Sequence, residues 1–172
     1  MKGLALKRDM QHLEAVAEGL VWLGYIRLGF HQLEGAEKAF RESLEIRQEL
    51  EQEVLQAESI SGLSRTLLEF GDIAAAQEHV ERIIGFISRD ENLYGSWEPL
   101  RIYWTCYEVL KVADDSRKDE ILIKAANNLQ MRAAKIPDKT ARERYLTNVP
   151  WHRAIMTEWM LVCQGDDSEA QK

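Results

Sequence analysis

Apolar residues recur at intervals of three and four along almost the whole chain, and no segment alternates strictly between apolar and polar positions. The first spacing is the period of an amphipathic helix, whereas strict alternation would indicate a strand. The pattern therefore predicts eight helices joined by short connections, and no strand. The predicted ranges are 9–29, 34–50, 52–70, 73–88, 99–113, 117–135, 139–147 and 150–163.

The predicted boundaries carry residues that end or begin helices. Gly71 suits the left-handed position after a helix, and Asp72 can accept hydrogen bonds from the free amides of the next one. Pro99 and Pro150 suit first helical turns, whereas Pro137 breaks the sixth helix. Nothing between these helices resembles an interdomain linker.

The composition agrees with a helical globular protein. The chain has 172 residues, of which 45% are hydrophobic and 30% are charged, so it can bury a core and is not a disordered tail. Its ten Gly and three Pro residues are few for a β-sandwich or a barrel, which need many turns. We therefore expect an all-α fold.

Charge and segment lengths exclude several partners. The net charge of −7 disfavours nucleic acid, because phosphate binding needs a basic face. Uncharged runs such as 19–26 are too short to span a membrane, and residues 1–9 lack the apolar stretch of a signal peptide. Cys106 and Cys163 lie far apart in apolar helical contexts, which favours buried free thiols over a disulfide. These features favour a cytoplasmic protein.

Sequence signatures of catalysis are absent. The four histidines stand apart from one another and from both cysteines, so no zinc-ligand spacing occurs. The chain has no nucleophile elbow, no glycine-rich phosphate loop and no His-Glu-x-x-His motif. Asp114 and Asp115 suit a helix cap better than a cation site. We therefore expect no catalytic residues, no metal and no cofactor, and a protein that is not an enzyme.

The helices fall into pairs that resemble one another, so that positions 23–43 align with positions 63–83. A small residue stands on the second helix of each pair, Ala36 in the first and Ala76 in the second. A larger apolar residue follows four positions later, namely Phe40 and Val80. A third copy, which places Ile123 at this position, fits less well. Small residues let two helices approach closely, so stacked pairs could share one core.

Three segments carry a family resemblance: 22–24 (Trp-Leu-Gly), 35–40 (Gly-Ala-Glu-Lys-Ala-Phe) and 70–72 (Phe-Gly-Asp). They resemble the tetratricopeptide repeat family, although the repeat is longer than is usual there and the family's repeat-ending Pro is missing. The resemblance implies an α-solenoid of antiparallel helix pairs with C-terminal capping helices. It gives a single domain, 1–172, with repeats at 10–50, 52–90 and 97–136, a capping region at 138–164 and a polar tail at 165–172.

A finer resemblance covers 142–153, Arg-Glu-Arg-Tyr-Leu-Thr-Asn-Val-Pro-Trp-His-Arg. This segment looks like the end of the long-repeat arrays in bacterial signalling ATPases and maltose-activator-like transcription regulators. There the array is a sensor or a partner-binding arm, which implies a bacterial regulatory protein. Residues 5–11 resemble the end of a preceding repeat. The chain is then either the C-terminal part of a longer array or a protein that self-associates through its N-terminal face.

The resemblance also implies where a partner binds. In a stacked array the first helix of each pair lines the concave face, and residues three and four apart share that face. We expect a scaffold that binds a peptide or a protein there; the alternative is a sensor for a small effector that acts on an ATPase. Arg65, Arg101 and Trp104 are the strongest candidates, because Arg and Trp dominate binding hot spots. The full predicted site is Tyr25, Arg65, Arg101, Trp104, Glu108 and Lys111.

Overall fold

The structure is a computed structural model that describes the backbone of residues 2–169 and the side chains of residues 10–163. Over 2–169 the chain forms eight helices and no strand, which confirms the predicted all-α class. The helices are α1 (Lys2–Gly29), α2 (Leu33–Glu49), α3 (Glu53–Phe70), α4 (Ile73–Arg89), α5 (Pro99–Val112), α6 (Lys118–Ala134), α7 (Lys139–Asn148) and α8 (Pro150–Glu169).

Two helices are longer than the sequence predicts, whereas the other boundaries agree within one residue. The helix α1 begins at Lys2 rather than near residue 9, because residues 4–8 (Leu-Ala-Leu-Lys-Arg) are good helix formers and Gly3 is tolerated in the first turn. The helix α8 continues to Glu169, so the predicted polar tail from 165 is helical as far as the structure describes it. A single Gly165 inside a helix costs only about 1 kcal/mol and did not end it. Residues 170–172 of that tail lie outside the described residues.

The chain divides into two compact units, Met1–Trp97 and Glu98–Lys172. In unit 1 the helices α1 to α4 pack in chain order, each against the next, and α1 also contacts α3. In unit 2 the helix α6 packs against α5 and α7, and α8 contacts all three. Each unit therefore has its own set of packed helices.

The internal repeat of unit 1 is visible in the structure. The helices α2 and α4 have the same length. The distance along the chain from each end of α2 to the matching end of α4 equals the distance from position 23 to position 63. The equivalent residues Ala36 and Ala76 are fully buried, as are Phe40 and Val80. The repeat predicted from small and large residues on the second helices is therefore present in unit 1.

The predicted third copy is wrong at Ile123, which is 43% exposed. The helix α6 buries Ala126, as the third copy predicts, but it buries Leu122 in place of Ile123. The connection before α6 spans 113–117, whereas only 71–72 separate α3 from α4. The offset of 43 positions used for the third copy, from 80 to 123, already includes these three extra residues, so the length of the connection does not explain the exposure of Ile123.

The same helix-ending turn occurs three times in unit 1, at equal spacing along the chain. His31, Glu51 and Gly71 have left-handed backbones, with φ angles of 56°, 54° and 81°. In each turn the N–H of the following residue donates to the carbonyl five positions earlier, over 2.9, 2.9 and 3.0 Å. This is the bond that satisfies a free carbonyl at a helix end. The repeat therefore extends to the connections as well as to the helices.

The predicted boundary residues act as expected. Gly71 takes the left-handed position that ends α3, and the Asp72 side chain accepts a hydrogen bond from the Ala75 N–H over 3.1 Å. Pro99 and Pro150 are the first residues of α5 and α8. Local sequence signals therefore determine where these helices begin and end.

The Phe40 ring of α2 occupies space that a side chain on either neighbouring helix would need. A Cβ atom added at Gly24 of α1 would lie 2.6 Å from this ring, and one at Gly62 of α3 would lie 2.2 Å from it. Both distances are far below van der Waals contact. The Tyr25 ring also packs edge-on against Phe40, with 4.9 Å between ring centroids. Two glycines therefore let three helices close around one aromatic ring.

We predict opposite stability changes for Glu51→Gly and Gly71→Ala. Glycine at 51 should raise the free energy of unfolding by about 0.5–1 kcal/mol, because the left-handed strain outweighs the added chain entropy. Alanine at 71 should lower it by about 1 kcal/mol, because a Cβ atom is disfavoured at this φ. Urea unfolding followed by circular dichroism measures both. Equal signs for the two variants would contradict the shared turn geometry.

Gly62→Ala should lower the free energy of unfolding by about 2 kcal/mol, because its methyl group would overlap the Phe40 ring. Gly85→Ala is the matched control: Gly85 is an exposed helical glycine with open space around its Cβ position. That variant should be more stable by up to about 1 kcal/mol. Adding Phe40→Leu to Gly62→Ala should recover part of the loss, and a failure to do so would place the clash elsewhere.

Candidate functional site

One face of α5 is less buried than the rest of the helix. It carries four of the predicted site residues, Arg101, Trp104, Glu108 and Lys111, which we call the α5 stripe. Their spacing of three and four positions places them side by side on the helix surface. The opposite face fills the core of unit 2. That face includes the buried residues Leu100, Ile102, Tyr103, Cys106, Val109 and Leu110.

A carboxylate from α8 fixes one end of the α5 stripe. The Tyr107 hydroxyl donates to Oε2 of Glu158 over 2.7 Å, and the Lys111 ammonium donates to the same oxygen over 2.8 Å. The Lys111 nitrogen also lies 5.4 Å from the centroid of the Tyr107 ring, within cation–π range. Lys111 is therefore held in place by α8 and does not present an isolated positive charge.

The pKa values of the three groups favour this arrangement at neutral pH. The hydrogen bond to Glu158 raises the pKa of Lys111. Hydrogen bonds from Lys111 and then Tyr107 lower the pKa of Glu158. Burial raises the pKa of Tyr107, and its bond to Glu158 raises it further. Lysine thus stays charged, glutamate ionised and tyrosine protonated across the neutral range.

Aromatic rings form the remainder of this surface. The Trp104 and Tyr107 ring centroids are 5.3 Å apart, with an interplanar angle of 37°. The guanidinium of Arg101 lies 5.5 Å from the centroid of the Trp151 ring, which belongs to α8. Such stacking keeps an arginine plane oriented while its edge can still donate hydrogen bonds. We call the α5 stripe, together with Tyr107 of α5 and Trp151 and Glu158 of α8, the α5–α8 surface. It combines oriented aromatic rings with fixed charges.

The segment 142–153 that carries the finer resemblance forms the end of α7 and the start of α8. His152 is buried, its ring lies 4.6 Å from that of Tyr145, and its Nδ1 donates to the Tyr145 carbonyl over 2.8 Å. Burial lowers the pKa of His152, so the neutral ring persists at physiological pH. This contact fixes the first turn of α8 and thereby the position of Trp151.

The other two predicted site residues belong to unit 1. Tyr25 lies on α1, where its ring packs against Phe40. Arg65 lies on α3 and forms an ion pair with Glu69, one turn later, over 3.5 Å. The structure thus brings four of the six predicted residues onto one helix face in unit 2. A binding role for all six residues stays a prediction.

Sequence reasoning missed three residues of the α5–α8 surface. Tyr107 follows Trp104 by three positions and precedes Lys111 by four, so helical spacing could have included it. Its apolar neighbours led to a core assignment, which its burial confirms, and the bond from its hydroxyl to Glu158 is the part that was missed. Trp151 and Glu158 belong to α8, which α6 and α7 separate from α5 along the chain, and no periodic signal links them to α5.

The cysteines only partly agree with their prediction. Both are free, and Cys106 is buried, but Cys163 is exposed. Met160 and Leu161 beside it are exposed as well, so the apolar context at this end of α8 does not mean burial. Within the described residues, no three His, Cys, Asp or Glu side chains are placed to hold a metal ion. No helix in the same part of the chain has the length and apolar character needed to cross a bilayer.

No protein-family model, no curated protein and no solved structure matches this chain. The function of the α5–α8 surface must therefore be inferred from its own geometry and chemistry.

We predict that Glu158→Gln lowers the free energy of unfolding by roughly 1 kcal/mol at pH 7, because two charge-assisted hydrogen bonds at a partly exposed site are lost. The folded-state pKa of Glu158 is lowered, so its contribution exists above the unfolded pKa and disappears as pH falls through the folded pKa. The difference from the wild type should therefore vanish in acid.

Urea unfolding over a pH series measures this dependence. Glu143→Gln on α7 is the matched control, since Glu143 is exposed. It should change stability little at any pH. A Glu158→Gln penalty that persists below the folded pKa of Glu158 would show that packing, rather than charge, is responsible.

Proposed function

We propose that this chain is a protein-interaction module and that the α5–α8 surface binds a peptide or a helix of a partner protein. The observation that carries the proposal is the position and packing of Trp104. This half-buried tryptophan packs against Tyr107 and lies between Arg101 and Lys111 on a helix braced by α8. Trp, Tyr and Arg dominate binding hot spots, and preorganised side chains lose little entropy on binding.

We also propose that unit 1 is a tetratricopeptide-like pair of repeats within an α-solenoid, with α7 and α8 as capping helices. The matching lengths and regular offset of α2 and α4 support this, as do the repeated turns and the close helix packing at Gly24 and Gly62. The resemblance at 142–153 supports a place in a bacterial signalling or regulatory protein, working in the cytoplasm.

The charges on the surface indicate which kind of partner fits. Arg101 and Lys111 are balanced by Glu108 and Glu158 on the same surface. A surface without net charge attracts neither strongly acidic nor strongly basic segments. The partner should therefore bind through apolar and aromatic contacts with a few oriented hydrogen bonds. Its affinity should depend little on salt, because screening acts mainly on unbalanced charges.

Copurification with mass spectrometry, followed by titration of the identified partner, tests the proposal. Trp104→Ala should weaken binding about tenfold or more, because it removes the central aromatic side chain. Trp97→Ala is the matched control, since this tryptophan is exposed in the connection before α5. It should bind like the wild type, and the circular dichroism of both variants should be unchanged.

Two results would contradict the proposal. Equal binding by the Trp104→Ala variant and the wild type would remove the α5–α8 surface as the binding site. A saturable thermal shift with a small metabolite, without any copurified protein, would favour an effector sensor instead.

A further inference from the structure

The face of α1 opposite its buried side is apolar and exposed. Its buried side carries Ala17, Val21 and Gly24. On the opposite side Trp22, Leu23, Ile26 and Phe30 are 43%, 36%, 57% and 73% exposed. Ala15 and Gly19 extend the same face towards the start of the helix. We call these residues the α1 stripe: Ala15, Gly19, Trp22, Leu23, Ile26 and Phe30.

The internal repeat shows what such a face does elsewhere in unit 1. The repeat equivalents of Gly19 and Trp22 are Ser59 and Gly62 of α3, both of which contact α2. The hydroxyl of Ser59 lies 2.8 Å from that of Ser43, and the Cβ position of Gly62 lies against the Phe40 ring. The α1 stripe thus occupies the repeat position that receives a helix on α3. Trp22 stands there in place of Gly62 and Ile26 in place of Thr66.

We propose that the α1 stripe pairs with the α1 stripe of a second copy of this chain, with the two helices antiparallel. Four of the six stripe residues are complementary to one another across a two-fold axis. A two-fold axis between positions 20 and 21 places Trp22 of one copy at Gly19 of the other and Ile26 at Ala15. A large residue then meets a small one at each of these points, as an isologous interface requires. The stripe itself contains no charged residue, although the same axis places Leu23 and Phe30 opposite Glu18 and Gln11 at its edges.

The exposed area of the four large side chains suits a weak dimer at the small end of the range for specific interfaces. The four large side chains expose on the order of 400 Å² of apolar surface per copy, at the size where an apolar patch on a monomer becomes functional. Two copies together supply about half of the roughly 1,600 Å² buried in a standard interface. The small residues and the flanks of α1 can supply the remainder. We therefore expect a reversible dimer with a Kd in the micromolar range.

This interface is separate from the proposed partner-binding surface. The α1 stripe belongs to unit 1, whereas the α5–α8 surface belongs to unit 2. A loss of dimerisation and a loss of partner binding can therefore be measured independently, and either proposal can fail without the other.

Sedimentation equilibrium of the full chain over a concentration series tests the pairing. The wild type should change from monomer to dimer, and Ile26→Asp should weaken dimerisation about tenfold or more, because it would bury a charge. Ile123→Asp is the matched control, since Ile123 is a 43% exposed isoleucine on α6. A wild type that stays monomeric throughout would overturn the proposal, as would a dimer that Ile26→Asp leaves intact.

The Gly19→Leu variant distinguishes an effect on dimerisation from an effect on folding. A Cβ atom at Gly19 meets nothing within 4 Å in the monomer, and the same holds for Gly85 on α4. Leucine at either position should leave the fold intact or stabilise it, because it is a better helix former than glycine. Only Gly19→Leu should weaken the dimer, since it fills the space that Trp22 of the second copy needs. Equal dimerisation of the two variants would overturn the proposal.

The helix direction can be measured with spin labels. In a Cys163→Ser background, a label on His12→Cys leaves only the buried Cys106 as a native thiol. Antiparallel pairing places position 12 of one copy opposite position 29 of the other, so the two labelled positions lie about 25 Å apart along the helices. Parallel pairing would bring them within roughly 10 Å. A short distance would overturn the antiparallel arrangement.

Discussion

The packing of unit 1 depends on the contact of the Phe40 ring with Gly24 and Gly62. Three helices meet at this ring, and the two glycines set how closely α1 and α3 approach α2. A side chain at either glycine would overlap the ring, and protein interiors are packed too densely for that overlap to relax without moving a helix. In the next repeat the equivalents of Phe40 and Gly24 are Val80 and Ser64, both fully buried. Val80 is smaller than Phe40, and Ser64 is larger than Gly24. The loss of volume on the second helix is thus accompanied by a gain of volume on the first.

Polar groups buried around this core fix how the helices align. The Ser43 hydroxyl donates to the Ala17 carbonyl over 2.8 Å and accepts from Ser59, which links α1, α2 and α3. Nearby, the buried Arg47 bonds to Gln52 at the start of α3. Burial lowers the pKa of Arg47, and three glutamates from α1 and α3 oppose that shift, so the guanidinium stays charged. Such a network is costly when partly broken, so it disfavours a helix that slides by one turn.

Sequence reasoning succeeded where the signal is local and failed where it is not. Gly71, Asp72 and Pro99 act within their own turns, so the helix boundaries were predictable. The exposure of Leu23 was not predictable, because the spacing of apolar residues shows that a helix face is apolar but does not show whether another helix covers it. The Lys111–Glu158 bond joins residues 47 positions apart, and only the packing of α5 on α8 creates it. The shared face of the four residues of the α5 stripe was predictable, because one helix carries them all.

The two exposed surfaces differ in a way that suits different kinds of association. Within unit 2, Glu158 pairs with Lys111 of the α5 stripe and the Trp151 ring lies against Arg101, so these two side chains are held in place. In the proposed function, a partner would therefore bind at little cost in reorganisation. The α1 stripe has no charge and no hydrogen-bonding side chain apart from the Trp22 indole. Association through it therefore gains free energy mainly by removing apolar surface from water. Covering it with an identical stripe requires no second gene product, and a two-fold axis closes the assembly at two copies, which protects the remaining chain from open-ended stacking.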